Sequence, residues 1–266
     1  MKSLSHIATG FLLFCTAFTL PLFAQETPPA ITLPDVPYKV TMVFHQLDTD
    51  QWIYVHPERA DSQYMPASTF KVPHSLIALE TGVVQDTSQV FKWDGKKRGW
   101  SQWNRDHTLP SALKYSALWV YQEIARREGR EAITEWIETY EYGTQELPGP
   151  IDMFWLNGAL KISPRQQVEF LVKLYNEELP GDDRYQRMVK AMMQYDRPED
   201  TYLHAKTGWG IDGDTNYGWF VGWTDSEEAT WMFATLIESE EGGDDFRKDR
   251  MRLTLHALKQ LGGWPE

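Results

Sequence analysis

At 266 residues, with 42% hydrophobic and 14% aromatic side chains, the chain is long enough for one large core or two interlocked ones. Its formal charge of −12 repels nucleic acid and anionic lipid, so neither is expected as a partner. Seven scattered histidines without a His-x-x-x-His, and a single cysteine, offer no metal-ligand pattern and no disulfide framework.

The first segment reads as a processing signal. Lys2 precedes the apolar stretch IATGFLLFCTAFTLPLF, too short and too broken for a membrane span, and the LFA–QE junction offers cleavage after Ala24. Cys15 lies inside this segment, and Phe14 before it is not the small residue a lipid attachment needs. Residues 1–24 are therefore expected as a signal peptide. Residues 25–266 are expected as one exported, cysteine-free unit, periplasmic or secreted, with no membrane span after cleavage.

Residues 25 to 37, rich in proline and threonine, read as an irregular lead-in. KVTMVFHQLDTDQWIYVH is two β-patterned runs around the polar DTDQ, a hairpin with suitable turn chemistry. YMPASTFKVPHSLIALETG opens a helix that Gly82 should close, with Pro73 tolerable near its first turn. PSALKYSALWVYQEIARREG predicts one helix from Pro110–Ser111 to Gly129, and REAITEWIETYEYG and SPRQQVEFLVKLYNEEL predict two more. TYLHAKTGW, YGWFVGWTDS and TWMFATLIES are consecutive strand patterns, and a helix is expected near FRKDRMRLTLHALKQL. DGDTN between the first two strands reads as a solvated turn rather than a calcium loop, since its glycine falls one place late and strands flank it. The fold class expected is α+β. An antiparallel sheet comes from both chain ends (about 25–92 and 198–266), flanked by helices, with a helical insert over about 93–197. Most of the twelve tryptophans should be core.

Three short motifs carry chemistry. Ser68-Thr69-Phe70-Lys71 places a hydroxyl at a helix start and an amine one turn along on the same face. Ser-x-x-Lys alone is weak, occurring about once by chance in a chain of this size, and Ser111-Ala112-Leu113-Lys114 fits it too. Phe70 and Val72 wall the Lys71 stem, so burial should lower its pKa and leave it neutral, as a base must be. Lys206-Thr207-Gly208-Trp209 on an edge strand is far rarer. There Lys206 and Thr207 can bind a substrate carboxylate, Gly208 leaves room for the ligand, and the Trp209 N–H can complete an oxyanion hole with that of Ser68. The third motif is a serine between the first two. Ser111 follows Pro110 and looks like a helix cap, so Ser116 is the better proton carrier. Together these are the parts of an acyl-transfer site.

With these motifs in order, the chain resembles the class D serine β-lactamases of the oxacillinase type, along PASTFK, FKWDG, WNRDHTL, KYSALWVYQEIAR, FWLNGALKIS, QVEFLVKLYNEEL, AKTGW and GWFVGW. Ser-Asp-Asn, Glu-x-x-Asn, Tyr-x-Asn and Ser-x-Asn are all absent, which separates it from related classes. The resemblance implies the penicillin-recognising α+β fold and hydrolysis of the β-lactam amide of penicillin-type substrates through an acyl-Ser68. It implies no cofactor beyond CO2 or bicarbonate, which carboxylates Lys71. It further implies Trp155 as hydrogen-bond donor to that group, Leu118 and Leu156 as its apolar lid, and Arg247 as second carboxylate anchor with Arg250 the alternative. Two departures stand out: Leu118 where the family usually has valine, and Thr144 after Tyr142-Gly143 where it has asparagine, near the expected cleft rim. The other reading of the same residues is a penicillin-binding sensor domain that acylates without efficient turnover.

Overall fold

The computed structural model describes residues 30–195 and 201–265, so the expected signal peptide lies outside the described residues. The amino-terminal hairpin forms as its two β-patterned runs predict, β1 (Lys39–Gln46) pairing antiparallel with β2 (Gln51–Val55). The carboxy-terminal strand patterns are β6 (Tyr202–Asp212), β7 (Thr215–Asp225) and β8 (Thr230–Ser239), and DGDTN is the turn between the first two. Two short pairings escape the sequence patterns. One is β3 (Val90–Phe91) with β4 (His107–Thr108), the other β5 (Gln194–Tyr195) on β6. The main sheet has six antiparallel strands in the order β2-β1-β8-β7-β6-β5, joining both ends of the chain.

Each face of this sheet has its own core. On one lie Phe44, Phe220 and Phe233 with Phe246, Leu253 and Leu258 of α6 (Asp244–Gln260). On the other, α1 (Lys71–Glu80) and α4 (Pro164–Tyr175) pack with α2 (Leu109–Lys114), α3 (Leu118–Thr139) and α5 (Asp183–Met193), a helix the periodicity did not single out. Eleven of the twelve tryptophans sit in or pack against one of these cores, and Trp100 is the exception. Gly82 closes α1 as expected: at φ 70° it lets the chain turn so that the Val84 amide reaches the Ala78 carbonyl.

The helix predicted from Pro110 to Gly129 is not continuous. It breaks between Lys114 and Leu118, where Ser116 takes the left-handed φ of 52°, and α3 is itself interrupted at Gly129 (φ 79°, ψ 168°). Uninterrupted periodicity hid the first break, since serine carries no turn signal as strong as glycine or proline. Ser111 does serve the helix start, but from the third helical position rather than as the cap. Its hydroxyl accepts the Thr108 amide and lies 2.9 Å from His107 Nδ1.

Candidate active site

Ser68 lies in a 3-10 turn, Ala67–Phe70, that runs directly into α1. That turn is pinned on both sides. The Ala67 amide bonds the Trp155 carbonyl at 3.0 Å, and the Trp219 indole N–H donates to the Met65 carbonyl at 2.8 Å. Lys71 follows one turn later and its Nζ donates to Ser68 Oγ at 2.9 Å. The lysine is only 1% exposed, and burial lowers its amine from 10.5 to about 7. Its Nζ sits 5.2 Å from the centre of the Tyr121 ring, a surface that compensates a cation far less than water does. Near neutral pH a large share of Lys71 is therefore an unprotonated amine against the serine hydroxyl.

The break between α2 and α3 delivers Ser116 to the same place. Lys206 Nζ donates to Ser116 Oγ at 2.5 Å and to the Thr207 carbonyl at 2.8 Å. Lys206 is buried, and its pKa falls well below the usual lysine value through desolvation first and then repulsion from Lys71 and Arg250. β5 covers β6 only at Leu203 and His204, so beyond that point this edge of β6 is free to meet the Ser68 turn. Gly208 makes that meeting possible. A β-carbon there would stand 3.0 Å from the Pro66 carbonyl oxygen and 3.2 Å from the Thr69 methyl, so the missing side chain makes room for the turn that carries Ser68.

Between these elements lies a cleft of about 370 Å³ whose lining includes Ser68, Ser116, Thr207, Gly208, Trp209, Leu118 and Leu156. Lys114, Arg247 and Arg250 line it as well, and no acidic side chain does so among the described residues. In a protein of net charge −12 this is a cationic pocket suited to an anionic ligand. The two arginines differ. Arg250 is buried, donates to the Gly208 carbonyl, and is lowered to about 10 mainly by burial. Arg247 stands at the mouth, its guanidinium 5.3 Å from the centre of the Trp100 ring and 3.0 Å from Asp244. Trp155 is fully buried beneath the site, its ring stacked on Phe70 at 5.8 Å. Its indole N–H has no acceptor among the described residues.

Comparison with known proteins gives this geometry a family. The penicillin binding protein transpeptidase domain matches residues 43–253. The chain is 42% identical over 203 residues to beta-lactamase OXA-48 of Klebsiella pneumoniae, covering 76% of each protein. It is 40% identical over 222 residues to the probable beta-lactamase YbxI of Bacillus subtilis, covering 84% of this chain and 80% of the relative. Among solved structures, the class D beta-lactamase of Sebaldella termitidis superposes with a TM-score of 0.83 at 34% identity, over 86% of this chain and 93% of that one. The chain belongs to the class D β-lactamases. The resemblance drawn from the motifs is thereby established, as is the α+β fold it implied, and β-lactam hydrolysis is the activity of an enzyme of this type.

Within this β-lactamase, Thr144 does not line the cleft as its position near the expected rim suggested. Its hydroxyl accepts the Lys161 amide at 3.1 Å and its own amide bonds the Lys161 carbonyl at 2.8 Å, clamping the two ends of the segment that carries Trp155. Several residues of the site were given no role from the sequence. Trp100, Trp103 and Tyr115 add aromatic walls. The Trp103 indole donates to the Tyr115 carbonyl at 2.9 Å and so fixes the residue next to Ser116.

Proposed function

We propose that the enzyme opens the β-lactam amide of penicillin-type antibiotics through an acyl-Ser68 intermediate, with carboxylated Lys71 as general base. The observation that carries the reading is the 2.9 Å bond between Ser68 Oγ and a buried lysine whose amine falls to about 7. The substrate carboxylate is held by Lys206, Thr207 and Arg247, and its carbonyl oxygen faces the backbone N–H groups of Ser68 and Trp209. Ser68 Oγ attacks the carbonyl carbon while its proton passes to the Lys71 side chain. The C–N bond breaks, and the proton passes from Lys71 by way of Ser116, whose hydroxyl accepts a bond from Lys206, to the leaving nitrogen, which frees Lys71 to act again. Water then attacks the ester, its proton passing to the Lys71 side chain and on to Ser68 Oγ as the acyl bond breaks, and Ser68 is restored.

The residues present fit a carboxylated lysine. CO2 adds only to a neutral amine, and about half of Lys71 is neutral at about pH 7 and more of it above. Once added, the group supplies an anionic acceptor for the protons of Ser68 and water. The otherwise unpaired Trp155 N–H and the Ser116 hydroxyl would hold it, with Leu118 and Leu156 keeping bulk water away. Export through a cleaved signal places the enzyme where such substrates arrive.

Steady-state hydrolysis of a chromogenic cephalosporin, with and without bicarbonate, tests the reading alongside carbon NMR in labelled bicarbonate. Activity should fall as pH drops below about 7, where Lys71 protonates, and recover on adding bicarbonate. One carbamate signal should appear and be absent in Lys71→Ala, while Ser68→Ala should lose covalent labelling by penicillin. Full activity with neither signal nor bicarbonate dependence would make Lys71 a free-amine base.

A further inference from the structure

Directly behind the Lys71 wall lies a buried polar pair that none of these steps uses. His74, one turn beyond Lys71 on α1, has its Nε2 2.8 Å from Glu128 Oε2, and both side chains are 0% exposed. Glu128 is the last residue of the first α3 segment, immediately before the Gly129 break. His74 Nδ1 and Glu128 Oε1 have no partner among the described residues, so the pair is only half satisfied. Buried pairs of this kind are weak sources of stability, because desolvation offsets most of their attraction, and apolar residues of like volume serve as well. What such a pair does supply is direction.

The direction is given to the rings around Lys71. The His74 ring packs 5.5 Å from Trp155, 5.5 Å from Tyr121 and 5.3 Å from Phe70. Of the rings against Trp155, Phe70 and Phe154 are held by packing alone, whereas His74 is fixed as well by a directional hydrogen bond to a second helix. Tyr121, whose face lies under Lys71 Nζ, is fixed separately by its hydroxyl 2.8 Å from Ser75 Oγ. We propose that His74 and Glu128 are positioning residues for the general base: by locking the His74 ring against Trp155, they aim the indole N–H that retains the carboxyl group on Lys71. This rests on the carboxylation reading above and adds to it the residues that tune it.

The test is a labelled-bicarbonate titration followed by carbon NMR, read beside hydrolysis and penicillin labelling. In the double variant His74→Leu with Glu128→Leu, the bicarbonate needed for half of the carbamate signal should rise about five-fold, the worth of one hydrogen bond's orientation. Acyl-enzyme should accumulate, so kcat and KM should fall together, with kcat/KM changing less because Lys206 and Arg247 are untouched. If that variant does not fold, His74→Gln decides the matter. It still reaches Glu128 but removes the ring from Trp155, and the same rise is expected. Glu128→Gln, which keeps ring and hydrogen bond, should stay within about two-fold of wild type. An unchanged bicarbonate requirement in the double variant or in His74→Gln overturns the inference. So does Glu128→Gln behaving like the double variant, since charge rather than position would then matter. A wild type without a carbamate signal removes the carboxylation reading and this inference together. A wild type with the signal and insensitive variants removes only the inference.

Discussion

Arg247 and Arg250 stand one helical turn apart on α6 and both reach the cleft, yet their surroundings divide their roles. Arg250 is spent on the protein: it is 6% exposed and bonds the Gly208 carbonyl beneath the Lys206–Trp209 strand. Arg247 keeps its charge toward solvent, backed by the Trp100 ring. Arg247→Ala should therefore raise KM several-fold for a penicillin while kcat changes little, the mark of lost ground-state binding. Arg250→Ala should instead cost about 1–3 kcal/mol of stability, since it strands a buried carbonyl, and thermal melting alongside kinetics separates the two. A KM effect confined to Arg250→Ala would move the anchor one turn along α6.

At the scale of elements, the strands were legible because they are apolar, β-branched and aromatic runs bounded by turn residues, buried on both faces at β1, β7 and β8, and Lys206-Thr207-Gly208 was legible because it is rare. The break that presents Ser116 was not. KYSALW continues the helical pattern on both sides, while the chain at φ 52° is held by the Ser116 and Ala117 amides on the Leu113 and Ala112 carbonyls and by the tertiary bonds of Trp103 to Tyr115 and Lys206 to Ser116. The Ser68 turn tells the same story: its residues read as a helix start, while its pinning to Trp155 and Trp219 comes from distant segments. Gly208 is the element-scale test. An alanine β-carbon would press the Pro66 carbonyl at 3.0 Å and the Trp219 β-carbon at 3.2 Å, so β6 and the turn must part by a few tenths of an ångström. Overpacking of this kind costs about 1–3 kcal/mol. Because reacting groups tolerate little displacement, kcat/KM should fall by about ten-fold while the fold persists. Unchanged kcat/KM in Gly208→Ala would mean the spacing between strand and turn is not what sets the reacting geometry.

The whole molecule carries its site as a local deficit of stability. Lys71, Lys206 and Arg250 are buried basic groups around one site, and Ala67 and Ser116 hold left-handed backbone angles that cost about 1–3 kcal/mol each. Two cores on either side of a six-stranded sheet offset these costs. For Lys71 the cost has a definite pH dependence. Its pKa is about 7 in the folded protein against 10.5 for an ordinary lysine, so between these values the unfolded chain holds a proton that the native protein does not. Stability must then rise with pH across this window, and the penalty is fully present only below about 7. At about 1.4 kcal/mol per pH unit it is on the order of 4 kcal/mol near neutrality. Lys71→Met, similar in length and without the charge, should therefore abolish turnover yet raise stability. In CO2-free buffer that gain should be largest at pH 7 and shrink toward zero by pH 10. Denaturant melts of both proteins at several pH values measure it directly. A gain that stays constant from pH 7 to pH 10 would show that Lys71 remains protonated throughout, and with it would go the neutral amine on which the proposed chemistry depends.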